Sequence, residues 1–104
     1  MTPLLVSLLL SVRAAALPPP PLIVIDPGHG GTQKGAIGSC NVEEKSVTLD
    51  ISIQLARLLH TSGRARVLLT RTTDTTLELR ERTRLANKAQ ARLFISINIK
   101  IIIT

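Results

Sequence analysis

The residues of this sequence best suited to chemistry are a histidine set among glycines and a carboxylate further along the chain. Asp26-Pro27-Gly28-His29-Gly30-Gly31 follows directly on an apolar run, and glycines leave room for a ligand or metal around the His29 imidazole. A loop histidine by itself specifies little, because exposed imidazoles are common. Glu44 stands at the threshold of a helical pattern, where the helix dipole favours an anion, so a purely structural role is open to it. Together at one sheet edge, however, a loop His and a helix-start Glu supply two of the three ligands of a His/Glu/His catalytic zinc site. Phosphate-loop chemistry is excluded. A dinucleotide fingerprint needs a glycine where Gln33 stands, and the Gly-Lys-Ser/Thr of a P-loop is missing.

The elements that must position these residues alternate in kind. The branched apolar run at 22–25 predicts a buried strand, stopped by Asp26-Pro27-Gly28. Val47, Ile51, Leu55, Leu58 and Leu59 recur at helical spacing and predict a helix over 46–60, with Gly63 as its stop. Residues 65–70 return to strand character. Thr75 and Glu78 have capping-box spacing ahead of a second helix that carries Leu79, Ala86 and Ala89 on one face, and 93–97 predict a third strand. The order βαβαβ predicts an α/β fold built on an open, mainly parallel sheet, in which ligands bind beyond the carboxyl ends of the strands.

Strands that are apolar without alternation suit a sheet covered on both faces. Two right-handed crossovers running the same way across the sheet would put both helices on one side and leave the other bare. A three-stranded sheet with a bare face and two open edges is a poor monomer, so the segment is expected to be an incomplete domain or to need a partner.

Composition narrows the function classes. The 104 residues are 44% hydrophobic and 19% charged, which suits one small folded domain rather than a disordered or fibrous chain. Cys40 is the single cysteine, which excludes an internal disulfide framework and a zinc ribbon. One Phe, no Trp and no Tyr leave almost no base-stacking surface, and no nucleic-acid partner is expected. The net charge of +6 attracts polyanions without choosing among them, and the arginines are spread along the chain, as on a solvated helix face. Residues 1–16 read as a signal peptide. Pro3 to Val12 is apolar but too short for stable membrane insertion, and Ala14-Ala15-Ala16 offers a cleavage site, although the start lacks the usual cation. Residues 17–22 read as a Pro-rich linker.

Taken in order, Ile23-Val24-Ile25-Asp26-Pro27-Gly28-His29-Gly30-Gly31, Gly35-Ala36-Ile37-Gly38, Glu44-Lys45, Leu69-Thr70-Arg71, Asp74, the Leu77/Arg80 helix with Ala86-Asn87, and Leu93-Phe94-Ile95-Ser96-Ile97 carry a resemblance. This sequence is similar to the zinc-dependent N-acetylmuramoyl-L-alanine amidases, over nearly all of 23–97. The likeness covers the N-terminal part of that catalytic domain, so 23–104 is expected to be a truncated form of it. It implies an α/β fold and hydrolysis of the amide joining N-acetylmuramic acid to the L-alanine of the peptidoglycan stem peptide. It also implies a bacterial chain that is secreted or held in the cell envelope.

Carried over by resemblance, His29 matches the first zinc ligand, and Glu44, the Glu immediately before Lys, matches the second in preference to Glu43. The third ligand is a histidine after the last strand, and Asn98 stands there instead. An amide oxygen is a weak zinc ligand, so Zn2+ binding is expected to be weakened or lost. The family's catalytic glutamate falls beyond Thr104, which leaves no general base to name and predicts a chain with little or no activity as it stands. Arg71 is a candidate substrate-binding residue for a stem-peptide carboxylate, with an ion pair to Asp74 as the alternative. Arg80 and Asn87 read as structural, His60 as a helix-end cation, and Cys40 as a loop residue in reach of a substitute-ligand role. Alongside the hydrolase stand two other classes: a non-catalytic wall-binding relative or gene fragment, favoured by Asn98, and a basic nucleic-acid or anionic-surface binder, favoured by charge alone.

Overall fold

A computed structural model describes residues 17–99; residues 1–16, expected to be a signal peptide, and residues 100–104 lie outside the described residues. The elements are β1 (Leu22–Pro27), α1 (Glu44–Ser62), β2 (Arg66–Leu69), α2 (Leu79–Lys88) and β3 (Leu93–Ile97), with a short 3-10 turn at Ser39–Asn41. The sheet is parallel in the order β2-β1-β3. β1 is therefore central, and its unbroken apolar run agrees with the complete burial of Val24 and Ile25. Of the expected linker 17–22, Leu22 belongs to β1, and the Pro20 and Pro21 carbonyls accept from the Arg66 side chain and backbone N–H.

The strand order corrects the expectation that both helices share one face. β1 to β2 runs one way across the sheet and β2 to β3 runs back past β1, so right-handed crossovers put α1 and α2 on opposite faces. Contacts agree. Ile53 and Ala56 of α1 share a groove with Val67 and Leu69, whose register partners are Ile23 and Ile25. Arg82 of α2 instead reaches Asp26, which alternation turns to the other face.

Both helices depart from their expected faces. α1 begins at Glu44 rather than 46, with Glu43 as N-cap, and ends at Gly63, whose left-handed backbone (φ 69°) lets its N–H reach the His60 carbonyl. Its buried stripe is polar, Glu44, Thr48 and Ser52, while Ile51 and Leu58 of the expected apolar face are exposed. The reason is proximity: Thr48 Oγ1 donates to the Gly28 carbonyl (2.7 Å), and small side chains let the helix approach the strand end. In α2 the capping box does not form. Glu78 is itself the N-cap and makes no side-chain cap bond, and Thr75 Oγ1 pairs with Thr73 Oγ1. Leu79 is exposed, and Arg82 and Ala86 are the buried pair.

Candidate functional site

The site is built on the end of β1. Beyond the last ladder bond, Gly28 N–H to Ile97 O (2.9 Å), the carbonyls of Pro27, Gly28 and His29 have no strand to pair with. Two buried arginines, one from each side of the sheet, satisfy them. Arg71 donates to Pro27 O (3.1 Å) and Gly28 O (2.9 Å), and Arg82 donates to Pro27 O and His29 O (2.7 Å). A guanidinium suits the task because its donors diverge in a rigid fork. Between them Asp26 accepts from Arg82 Nη1 (2.9 Å), Thr70 Oγ1 (2.7 Å) and Ser96 Oγ (2.8 Å), so all three strand ends meet on one carboxylate. The outer loop is tied by Asp74, which accepts from Gly31 N–H and from Lys45 Nζ, both at 2.7 Å.

This scaffold brings His29 and Glu44 together. His29 lies in the left-handed region (φ 61°), uncommon for a residue with a side chain, and its Nε2 stands 3.3 Å from Glu44 Oε2. Glu44 is buried, and its oxygens accept from Ala36 N–H (3.0 Å) and Ile99 N–H (2.9 Å). Burial works to raise the Glu44 pKa, but those backbone donors and His29 outweigh it and hold the carboxyl below its ordinary value. The close approach depends on Gly35. A Cβ there would lie 2.6 Å from Glu44 Oε2 and 2.7 Å from His29 Cδ2, and its φ of 73° favours glycine besides.

Asn98 sits at the same rim. It packs so closely on Gly28 that a Cβ there would strike its Oδ1, and its Nδ2 donates to Ser96 Oγ (3.1 Å). His29, Asn98, Asp26, Arg82 and Ser96 border a common cleft of about 260 Å³. Glu44 does not line that cleft, but its carboxylate oxygen and the His29 imidazole nitrogen face each other, a pair of strong donors for a cation. Among the described residues no group of three His, Cys, Asp or Glu is placed to hold a metal.

The other expected residues fare differently. Glu43 is taken up by ion pairs with Lys34 and Lys45. Arg71 borders a second cleft, of about 240 Å³, together with Lys45, Asp50 and Asp74. Every guanidinium nitrogen donates within the chain, including to Lys45 O and Thr73 O, and Asp74 pairs with Lys45 instead. Burial, then the nearby Arg82 charge, pushes the Arg71 pKa down. Its bonds to the Pro27, Gly28, Lys45 and Thr73 carbonyls make Arg71 a brace of the main chain at the site. His60 is exposed in the last turn of α1, Cys40 is exposed in the loop, and Arg80 and Asn87 are exposed on α2. Sequence reasoning missed Arg82, taking Arg80 for the pattern residue. The available signal was spacing, since Arg82 lies one helical turn before Ala86 and shares its face, whereas Arg80 does not.

Comparison with known proteins agrees with this architecture. A family model described as N-acetylmuramoyl-L-alanine amidase matches residues 23–99. The chain is 40% identical over 79 residues to N-acetylmuramoyl-L-alanine amidase AmiC of Escherichia coli O6:H1, covering 76% of this chain and 19% of that protein. It is 47% identical over 76 residues to N-acetylmuramoyl-L-alanine amidase LytC of Bacillus subtilis, covering 73% of this chain and 15% of that one. Among solved structures, the Clostridium difficile 630 N-acetylmuramoyl-L-alanine amidase superposes with a TM-score of 0.77 at 36% identity, over 80% of this chain and 45% of that one. AmiC2 of Nostoc punctiforme does so with a TM-score of 0.73 at 40% identity, over 77% and 44%. An α/β sheet with its polar residues gathered at the strand ends defines the class, and the chain belongs to the N-acetylmuramoyl-L-alanine amidase family. It spans less than half the length of each of these four relatives.

Proposed function

We propose that this chain carries the first two zinc ligands, His29 and Glu44, of a peptidoglycan amidase that cleaves the amide between N-acetylmuramic acid and the L-alanine of the stem peptide. The observation that carries the reading is the 3.3 Å approach of His29 Nε2 to Glu44 Oε2 at the carboxyl end of a parallel sheet. Two tetrahedral ligands about 2.0–2.1 Å from zinc stand about 3.3 Å apart, so this pair fits two ligand positions of such an ion. Asn98 fits the third poorly, because its amide oxygen is neutral and its amide nitrogen is engaged by Ser96. The chemistry supplied by the ion, when bound, is Lewis-acid polarisation of the scissile amide carbonyl.

The chain's own residues bind and orient. Ala36 and Ile99 N–H groups keep the Glu44 carboxylate ionised and fixed, and Gly35 lets the loop lie against both ligands. With two strong donors rather than three, the chain binds zinc weakly and hydrolyses wall material little or not at all. Peptidoglycan lies outside the cytoplasmic membrane, so the reading carries with it a secreted or envelope location and a leader in 1–16. No described helix is long and apolar enough to cross a membrane. Asn98 also favours a second reading, a relative that binds wall fragments without cutting them.

Zinc titration of the chain and of Asn98→His tests the placement, with hydrolysis of purified peptidoglycan read in parallel. An outer partner of a metal ligand is worth about 10–100-fold in affinity, and restoring a direct ligand should exceed that. Equal weak binding by both proteins overturns the ligand placement. Retention on purified wall with no released product, in both proteins, favours the second reading.

A further inference from the structure

We infer that Arg82 is a positioning residue, which holds the main chain at His29 so that the imidazole is presented to Glu44 and to a divalent cation. The inference rests on the reading of His29 and Glu44 as a metal pair. Arg82 comes from α2, on the face of the sheet opposite α1, and is buried. Its Nε donates to Leu77 O (2.9 Å), Nη1 to Asp26 Oδ1 (2.9 Å) and to Pro27 O, and Nη2 to His29 O (2.7 Å). An ion pair with Asp26 alone would need a single cation. Here the same planar group also takes two carbonyls flanking the turn into the site and one from the segment leading into α2, which a lysine ammonium on a flexible stem cannot reproduce.

The backbone that Arg82 grips is the one in an unfavourable conformation. His29 has a φ of 61°, and the Arg82 bond to its carbonyl fixes the plane of the peptide that follows it. Asp26 in turn fixes Arg82, because Thr70 Oγ1, just past the end of β2, and Ser96 Oγ of β3 hold that carboxylate. The chain of contacts therefore runs from all three strand ends through Asp26 and Arg82 to the main chain of His29, and from there to the imidazole.

The test uses the full 104-residue chain. Arg82→Lys keeps the charge opposite Asp26 and loses the fork, and Asp26→Asn with Arg82→Gln removes both buried charges together, in case the first variant does not fold. Circular dichroism checks folding, zinc alone is titrated, and His29 ring resonances are recorded without metal. The expected result in a folded variant is zinc affinity reduced by about 10–100-fold, as for other partners that orient a ligand. Metal-free His29 resonances should move towards those of an unconstrained imidazole. Parent-like affinity together with parent-like resonances in a folded variant overturns the inference. His29→Ala separates the two readings: if it binds zinc as the parent does, the metal pair is wrong, while the metal-free resonances still decide whether Arg82 sets the imidazole.

Discussion

The strand-end region and the flanks of this molecule are held by different physics. At the strand ends Asp26, Glu44, Thr48, Arg71 and Arg82 are buried, and no buried side-chain polar atom among the described residues lacks a partner. Along the flanks Leu58, Leu68, Leu79 and Leu93 remain exposed, and the buried apolar set is Val24, Ile25, Ala65 and Ala86. Directional bonds therefore specify the site in detail, while rather little apolar burial supports the fold beneath it. Since net stability is a small difference between large terms, single changes at the strand ends should be costly and changes on the flanks nearly silent.

The contrast is broken most directly at Asp26. Asp26→Ala leaves Arg82 buried without its counter-charge, a loss worth about 3–5 kcal/mol, and urea denaturation should find the variant largely unfolded. Unchanged stability would mean that the cluster is not what holds the strand ends. Next comes Gly35→Ala, where a left-handed φ costs about 1–2 kcal/mol and the added methyl meets both Glu44 and His29. Weaker zinc binding should accompany that loss, and a variant that loses stability but keeps its affinity would disconnect the glycine from the site.

A smaller effect follows from acid. The folded-state pKa of Glu44 lies below its ordinary value of 4.5, so the folded chain binds fewer protons there than the unfolded chain. The stability it contributes is present above that ordinary value and is lost as pH falls through the depressed one. Glu44→Gln should flatten the acid limb of the stability curve without abolishing it, because the Asp74 carboxyl is also lowered, chiefly by Lys45. Parallel curves for parent and variant would contradict the assignment. Smallest of all is Leu58→Gln on the exposed flank, expected to change stability by no more than about 0.5 kcal/mol by thermal melting; a large loss would show that this flank is covered in solution.

Much of the local organisation was readable in the residues. The apolar run of β1, the stop at Gly63 and the strand at β3 follow from branching, turn chemistry and periodicity, each set within a few neighbours. The periodicity of α1 misled because it marks an apolar stripe, whereas the burial of Thr48 and Ser52 depends on a strand end distant in sequence. Arg80 and Arg82 look alike in composition, and what separates them is whether Asp26 and the His29 carbonyl are within reach.

Residue type and spacing alone therefore determined the α/β alternation and marked His29 and Glu44 as a candidate pair, while Asn98 stood out only through the family resemblance. Tertiary structure decided the strand order, the opposite placement of the helices, and the bracing of the β1 end by the buried Arg71. The division is physical. Propensity and periodicity act between near neighbours, but which polar group is buried, and which carbonyl it must satisfy, is settled by strands and helices brought together from opposite ends of the chain.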